Sequence, residues 1–259
     1  MRVLITFALA NEFAPWRKLR AFRSGRLGGT EAFVAEISGA EVYVVLTGAG
    51  PNHAGRAVCG VMQTEGDGIN FCVSSGLAGA LRPEYQIGQI LAARVVHSET
   101  SHADVPGSEL AGSDSLIAFA AEYGATPVDR FYTASRAIGR VDEKQHLART
   151  ADAVEMESFE ILREARAFGI PAIAVRSISD AADEPLPLDM NRIFGDEGEV
   201  SIPAVVAEVA RHPKSLPGLV RLGQQSKQAA ESLAQFLDRY IVGVVERSKN
   251  LQTTAAVAP

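Results

Sequence analysis

Apolar residues gather along this chain in short runs rich in valine and isoleucine. The runs are Val3–Ala10, Val42–Thr47, Ile69–Ser74, Ile90–His97 and Ala172–Ser179. Each is the length of a strand and nearly continuous, without alternation, which suits strands covered by helices on both faces. Helical spacing lies between them. His53–Thr64 puts Ala54, Ala57, Val58, Val61 and Met62 on one stripe, and Ser115–Tyr123 follows Asp114, a candidate N-cap. Met156–Phe168 carries Met156, Phe159, Ile161, Leu162, Ala165 and Phe168 at helical intervals; Gly169 then supplies a stop and Pro171 leads into a strand. Strand, helix and strand in this order predict an α/β fold around a parallel or mixed sheet.

Residues Pro185–Gly198 are rich in Pro, Asp and Gly and read as a loop. Beyond them, Pro203–Arg211 and Leu216–Arg247 read as helices, with a stripe that includes Val205, Val206, Val209, Leu219, Leu222, Leu233, Phe236, Leu237 and Ile241. No repeat and no long linker divides the chain. The expectation is one domain over 1–247, with 199–247 as a helical extension and 248–259 as a disordered tail.

The 259 residues hold 25 Lys and Arg against 31 Asp and Glu, a net charge of −6. An acidic chain whose one dense basic stretch is Arg17, Lys18, Arg20, Arg23 and Arg26 argues against nucleic acid as a partner. Two cysteines, Cys59 and Cys72, make neither a disulfide framework nor a zinc pattern, and point to a reducing cytoplasm. The opening MRVLITFALANEF lacks the length and cleavage site of a signal peptide, so it is read as a first buried strand. No apolar run approaches the ~18 residues of a membrane span.

The stretch from Ala153 to Glu184 is the richest in candidate chemistry. Glu155 and Glu157 flank Met156 at a helix start, and Asp180 ends an apolar strand, where open α/β sheets bind ligands. On spacing alone, acid–base work and helix or turn capping are equally good explanations. Glu12 directly follows the first strand; by itself it reads better as a surface acid at a helix start. Two Gly-rich turns follow strands, Thr47-Gly48-Ala49-Gly50-Pro51-Asn52-His53 and Ser74-Ser75-Gly76-Leu77-Ala78-Gly79. Neither matches a dinucleotide fingerprint, and no P-loop triplet occurs, so both also fit simple turns. His97, His102 and Asp104 cluster without metal-ligand spacing, so no metal is expected. Ser74 and Ser75 lack a nucleophile elbow.

Several pieces together resemble the nucleoside phosphorylase/nucleosidase superfamily, and within it the 5′-methylthioadenosine/S-adenosylhomocysteine nucleosidases. They are FALANEF with Glu12, LTGAGPNHA, SSGLAGAL followed by IGQIL, and the pair VEMES and VRSISDAAD. The resemblance runs from Met1 to about Glu184. It implies an α/β/α sandwich around a central mixed, largely parallel sheet, and a homo-oligomer, with a dimer expected. It further implies that Asp180 serves N7 of a departing purine, that Glu157 holds the ribose hydroxyls with Met156 against the sugar, and that Glu12 positions an attacking water. Ser179, Gly76, Leu77 and Ala78 would complete the substrate-binding set. The substrate would be an adenine nucleoside with a 5′ substituent, and no cofactor would be needed beyond phosphate if the enzyme were a phosphorylase. Phosphorylases of this superfamily often carry R-x-G-T where this chain has Ser74-Ser75-Gly76-Leu77, which favours water as nucleophile. The segment from His97 to Asp114, which lines the 5′ pocket in the relatives, is short here. A second resemblance joins KQHLARTADAVEMES, the Leu186-Pro187-Leu188 loop and the helices around His212-Pro213 and Leu216-Pro217 to the hopanoid-associated phosphorylase branch. That branch implies adenosylhopane as substrate. A non-catalytic nucleoside-binding protein is the reading from a different class.

Overall fold

The computed structural model describes residues 1–99, 108–195 and 198–257, with the side chains of 251–257 left aside. The chain begins with β1 (Arg2–Phe7), α1 (Ala10–Leu19), β2 (Arg23–Leu27), β3 (Thr30–Ile37), β4 (Ala40–Leu46) and α2 (Pro51–Glu65). It continues through β5 (Phe71–Ala80), β6 (Ile90–Ser98), β7 (Glu109–Ala111), α3 (Asp114–Glu122), β8 (Thr126–Thr133) and α4 (Val141–Leu147). It ends with β9 (Ala153–Glu155), α5 (Ser158–Ala167), β10 (Ala172–Asp180), α6 (Ile202–Arg211) and α7 (Leu216–Val257).

All the strands join one mixed sheet, ordered β10-β6-β8-β9-β5-β1-β4-β3-β2, with β7 beside β6. Because β10 also pairs with β5, one half of the sheet closes into a ring, β10-β6-β8-β9-β5, while β1 to β4 form an open wing. Parallel pairing joins β4, β1, β5 and β10, and also β6, β8 and β9. The β2–β3, β3–β4, β5–β9, β6–β7 and β6–β10 pairs are antiparallel. The sheet is therefore more evenly mixed than the expected largely parallel one. The difference comes mostly from strands the apolar runs did not reveal, and in part from β6, which runs antiparallel to β10. β2, RSGRL, is mostly exposed and turns into β3 through Gly28 and Gly29, both at positive φ, as a two-residue hairpin requires.

The central strands are buried on both faces. Val3, Ile5 and Phe7 of β1 pack with Phe13 and Trp16 of α1 and with Leu233, Leu237 and Ile241 of α7. Leu4 faces the other way, toward Val58 and Val61 of α2 and Leu162 of α5. This is the two-faced burial that the continuous apolar runs predicted. Trp16 Nε1 and Arg20 donate to Asp238, at 3.1 and 2.5 Å respectively, and tie α1 to α7.

Local stop signals act as read. Gly169 takes φ +67 after α5, and the Ile170 N–H returns to the Ala165 carbonyl at 2.9 Å. The N-cap of α3 is Ser113, one residue before the expected Asp114. Two expectations change more. SSGLAG is not a turn but the second half of β5, because β10, β1 and β9 pair along it. The expected disordered tail from Ser248 is instead helical through Val257, as a continuation of α7.

Candidate functional site

The carboxyl ends of β1, β5 and β10 converge on one cavity of about 150 Å³, lined by Glu12, Met156, Glu157, Ser179, Asp180, Leu77 and Ala78 among others. Gly76 lies directly beside Glu12, since a Cβ built on it would sit 3.4 Å from Glu12 Oε2. Every residue proposed for the site is thus brought to one place, although the three carboxylates lie far apart in sequence.

Glu12 stands in the first turn of α1. Its Oε2 accepts the N–H groups of Ala8 and Leu9, at 3.1 and 3.2 Å. This is the helix-start role that its position suggested, but the side chain is 8% exposed and faces the cavity, not the surface. Burial pushes the carboxyl above the usual carboxylate range, against the pull of the Leu9 amide and of Arg176.

Glu157 lies between β9 and α5. Its Oε1 accepts the Gly50 N–H at 2.9 Å, so the first Gly-rich turn meets this carboxylate at the start of α2. Burial, and next the neighbouring Glu155 carboxylate, push Glu157 up to about 8. Met156 packs beside it, its Cε 3.8 Å from where a Gly50 Cβ would stand. Glu155 itself is fully engaged in structure. It accepts from Thr133 and Arg176, and from the N–H groups of Glu157 and Ser158 at 3.0 and 2.8 Å.

Asp180 closes β10. Its Oδ1 accepts Ser179 Oγ at 2.8 Å, and its Oδ2 accepts Lys144 Nζ at 2.5 Å. Both carboxylate oxygens therefore have fixed donors. Two cations govern the site and neither was singled out from the sequence. Arg176, fully buried on β10, contacts Glu155 and stands 3.6 Å from Glu157. Lys144, fully buried on α4, contacts Asp180. A sequence signal existed for Arg176: a lone arginine inside AIAVRSISD must find a partner if the strand is buried.

The loops after β8 and β10 supply part of the remaining wall through Arg136, Ala137, Ile138, Leu186 and Phe194. The cavity is smaller than the ~300–1,000 Å³ of sites for drug-sized ligands. Arg136, Ala137 and Leu186 also line a neighbouring cleft of about 770 Å³, which runs past Leu188, Met190, Glu208 and His212. The cleft is the larger space, but the buried carboxylates line the smaller one, which is therefore the candidate site. His97 lies on β6, whereas His102 and Asp104 of the suspected cluster lie outside the described residues. Among the described residues, no three His, Cys, Asp or Glu side chains come together as metal ligands, and no helix is long and apolar enough to cross a membrane.

Known structures share this architecture. Futalosine hydrolase of Helicobacter pylori is 20% identical and superposes with a TM-score of 0.71 over 93% of this chain and 97% of that one. The 5′-methylthioadenosine/S-adenosylhomocysteine nucleosidase of the same organism, bound to butyl-thio-DADMe-Immucillin-A, gives the same identity, coverage and score. The nucleosidase of Campylobacter jejuni is 18% identical, with a TM-score of 0.71 over 94% of this chain and 99% of its own. The family model of the phosphorylase superfamily matches residues 2–211, which include every element that contributes to the cavity. The chain is an enzyme of the phosphorylase superfamily.

Proposed function

We propose that the protein cleaves the N-glycosidic bond of an adenine nucleoside carrying a 5′ substituent and releases adenine. The observation that carries this reading is the convergence of Glu12, Glu157 and Asp180 on one cavity. Breaking C1′–N9 leaves positive charge on the sugar and negative charge on the base. Asp180 gives a proton to N7 of the departing purine, Glu157 holds the ribose hydroxyls, and Glu12 orients and deprotonates the attacking water. Ser179 and Met156 align the acid and the sugar, while the Gly76-Leu77-Ala78 backbone forms the floor.

Water is favoured over phosphate as the nucleophile. Of the arginines around the cavity, Arg176 is already committed to Glu155 and Ser74, and Arg136 pairs with Glu143 at 2.8 Å. Little cationic capacity remains for a phosphate dianion.

The test is release of the purine base, adenine from 5′-methylthioadenosine and S-adenosylhomocysteine and hypoxanthine from futalosine, with and without phosphate. Release without phosphate supports the reading, and release that requires phosphate replaces hydrolysis by phosphorolysis. Tight nucleoside binding with no release of base refutes it in favour of a binding protein. A second reading, a phosphorylase acting on adenosylhopane, is favoured by one observation. Ile202 and Val206 of α6, and Leu216 and Val220 of α7, are at least half exposed, and α6 flanks the cleft next to the cavity. Adenosylhopane is therefore the fourth substrate to test.

A further inference from the structure

Lys144 is fully buried, and its ammonium makes three contacts. It donates to Asp180 Oδ2 at 2.5 Å, to the Ala181 carbonyl at 2.7 Å and to the Glu184 carbonyl at 3.0 Å. These use every N–H that a lysine has. A lysine is almost never placed so deep unless it is paired, and this one is spent on a single carboxylate and the turn that follows it. The three contacts fix the turn from Asp180 to Glu184 and hold Oδ2 of Asp180, while Ser179 Oγ donates to Oδ1.

We propose that Lys144 is the positioning residue for Asp180: it fixes which carboxylate oxygen meets the leaving base and stabilises the carboxylate that remains after the proton has gone. The inference rests on the glycosidic chemistry proposed above. When C1′–N9 breaks, its electron pair moves into the purine ring and N7 takes the proton from the Asp180 carboxyl. The negative charge so created on Asp180 lies against the Lys144 ammonium, in a site where such contacts are far stronger than in water. Lys144 keeps its own proton throughout, and Asp180 regains one from solvent after adenine leaves.

The surrounding charges leave this pairing intact. The Glu184 carboxylate is drawn toward Arg221 and Gln225 of α7. Glu143, on the same helix as Lys144, is engaged by Arg136. Across the cavity, Glu12 and Glu157 face Arg176. Among the described residues, Asp180 is the carboxylate that forms an ion pair with Lys144.

The test compares Lys144→Met and Lys144→Arg with the wild type in adenine release, after thermal unfolding has shown that each variant folds. In Lys144→Met, kcat should fall about 10²-fold or more, on the scale of a displaced or weakened catalytic group, with KM changed less than threefold. Lys144→Arg, which keeps the charge, should recover at least tenfold of that loss. Unchanged kcat in Lys144→Met overturns the inference, as does an equal fall in both variants. If the wild type itself releases no base, the proposed function fails, and Lys144 is then judged by adenine binding. Calorimetry in two buffers of different ionisation heat should show a different proton exchange in Lys144→Met. Identical exchange overturns it.

Discussion

Gly79 and Asp180 occupy adjacent strands so closely that a Cβ on Gly79 would lie 2.8 Å from Asp180 Oδ2. The two are register partners on β5 and β10, across an irregularity between Ile178 and Asp180. The glycine is what allows the acid to lie against the sheet and reach Lys144. Gly79→Ala should therefore displace the carboxylate without exposing the core. Adenine release should fall between about tenfold and 10²-fold, the scale of a misplacement near 1 Å, with a small change in Tm. Full activity in this variant would show that Asp180 works from a different rotamer.

Asp180→Asn retains the shape of the side chain but cannot give up a proton as a carboxyl does. Loss of a general acid lowers rates by about 10²–10⁴, and kcat should fall within that range while the far-ultraviolet circular dichroism stays the same. A variant with wild-type turnover would remove Asp180 from the chemistry.

Glu157 couples stability to pH. Its carboxyl is raised from 4.5 to about 8 by burial and by Glu155. Between these values the folded chain holds a proton that the unfolded chain has released. The contribution of this group to stability is therefore complete below pH 4.5 and is lost as pH rises through about 8. Glu157→Gln abolishes this titration. The Tm of the variant relative to wild type should become more positive between about pH 5 and pH 9. A difference that stays flat over this range would mean that the Glu157 carboxyl titrates normally.

Arg176→Met should destabilise the fold by about 3–5 kcal/mol, because it strands buried carboxylates without their cation. Adding Glu155→Gln to that variant should recover part of the loss in a denaturant titration. Additive destabilisation by the two changes would contradict the coupling of Arg176 to Glu155.

The apolar strands were legible because helices cover both faces, and composition alone reports such burial. β2 and β8 were not legible, because RSGRL and TPVDRFYT carry charges on exposed positions and show no continuous run. Gly28-Gly29 is a readable hairpin signal, but it lies between charged segments and not beside an apolar run. At the site, spacing left Glu12, Glu157 and Asp180 ambiguous between capping and catalysis. Glu12 in fact combines a capping contact with a place in the cavity. Lys144 and Arg176 escaped because their partners are 36 and 21 residues away, and only the folded sheet brings them together.

Asp180 belongs to a ring of strands with no free edge between its members, whereas Ala137, Ile138, Leu186 and Phe194 stand on loops outside it. The site is therefore partitioned. Its acid is anchored to the part of the molecule least tolerant of change, and the surfaces that would distinguish one nucleoside from another lie on the most tolerant part. Such a scaffold can acquire a new substrate by loop substitution and retain its bond-breaking step. Directed variation confined to those four positions would alter the cavity wall and leave the strand-borne carboxylates in place.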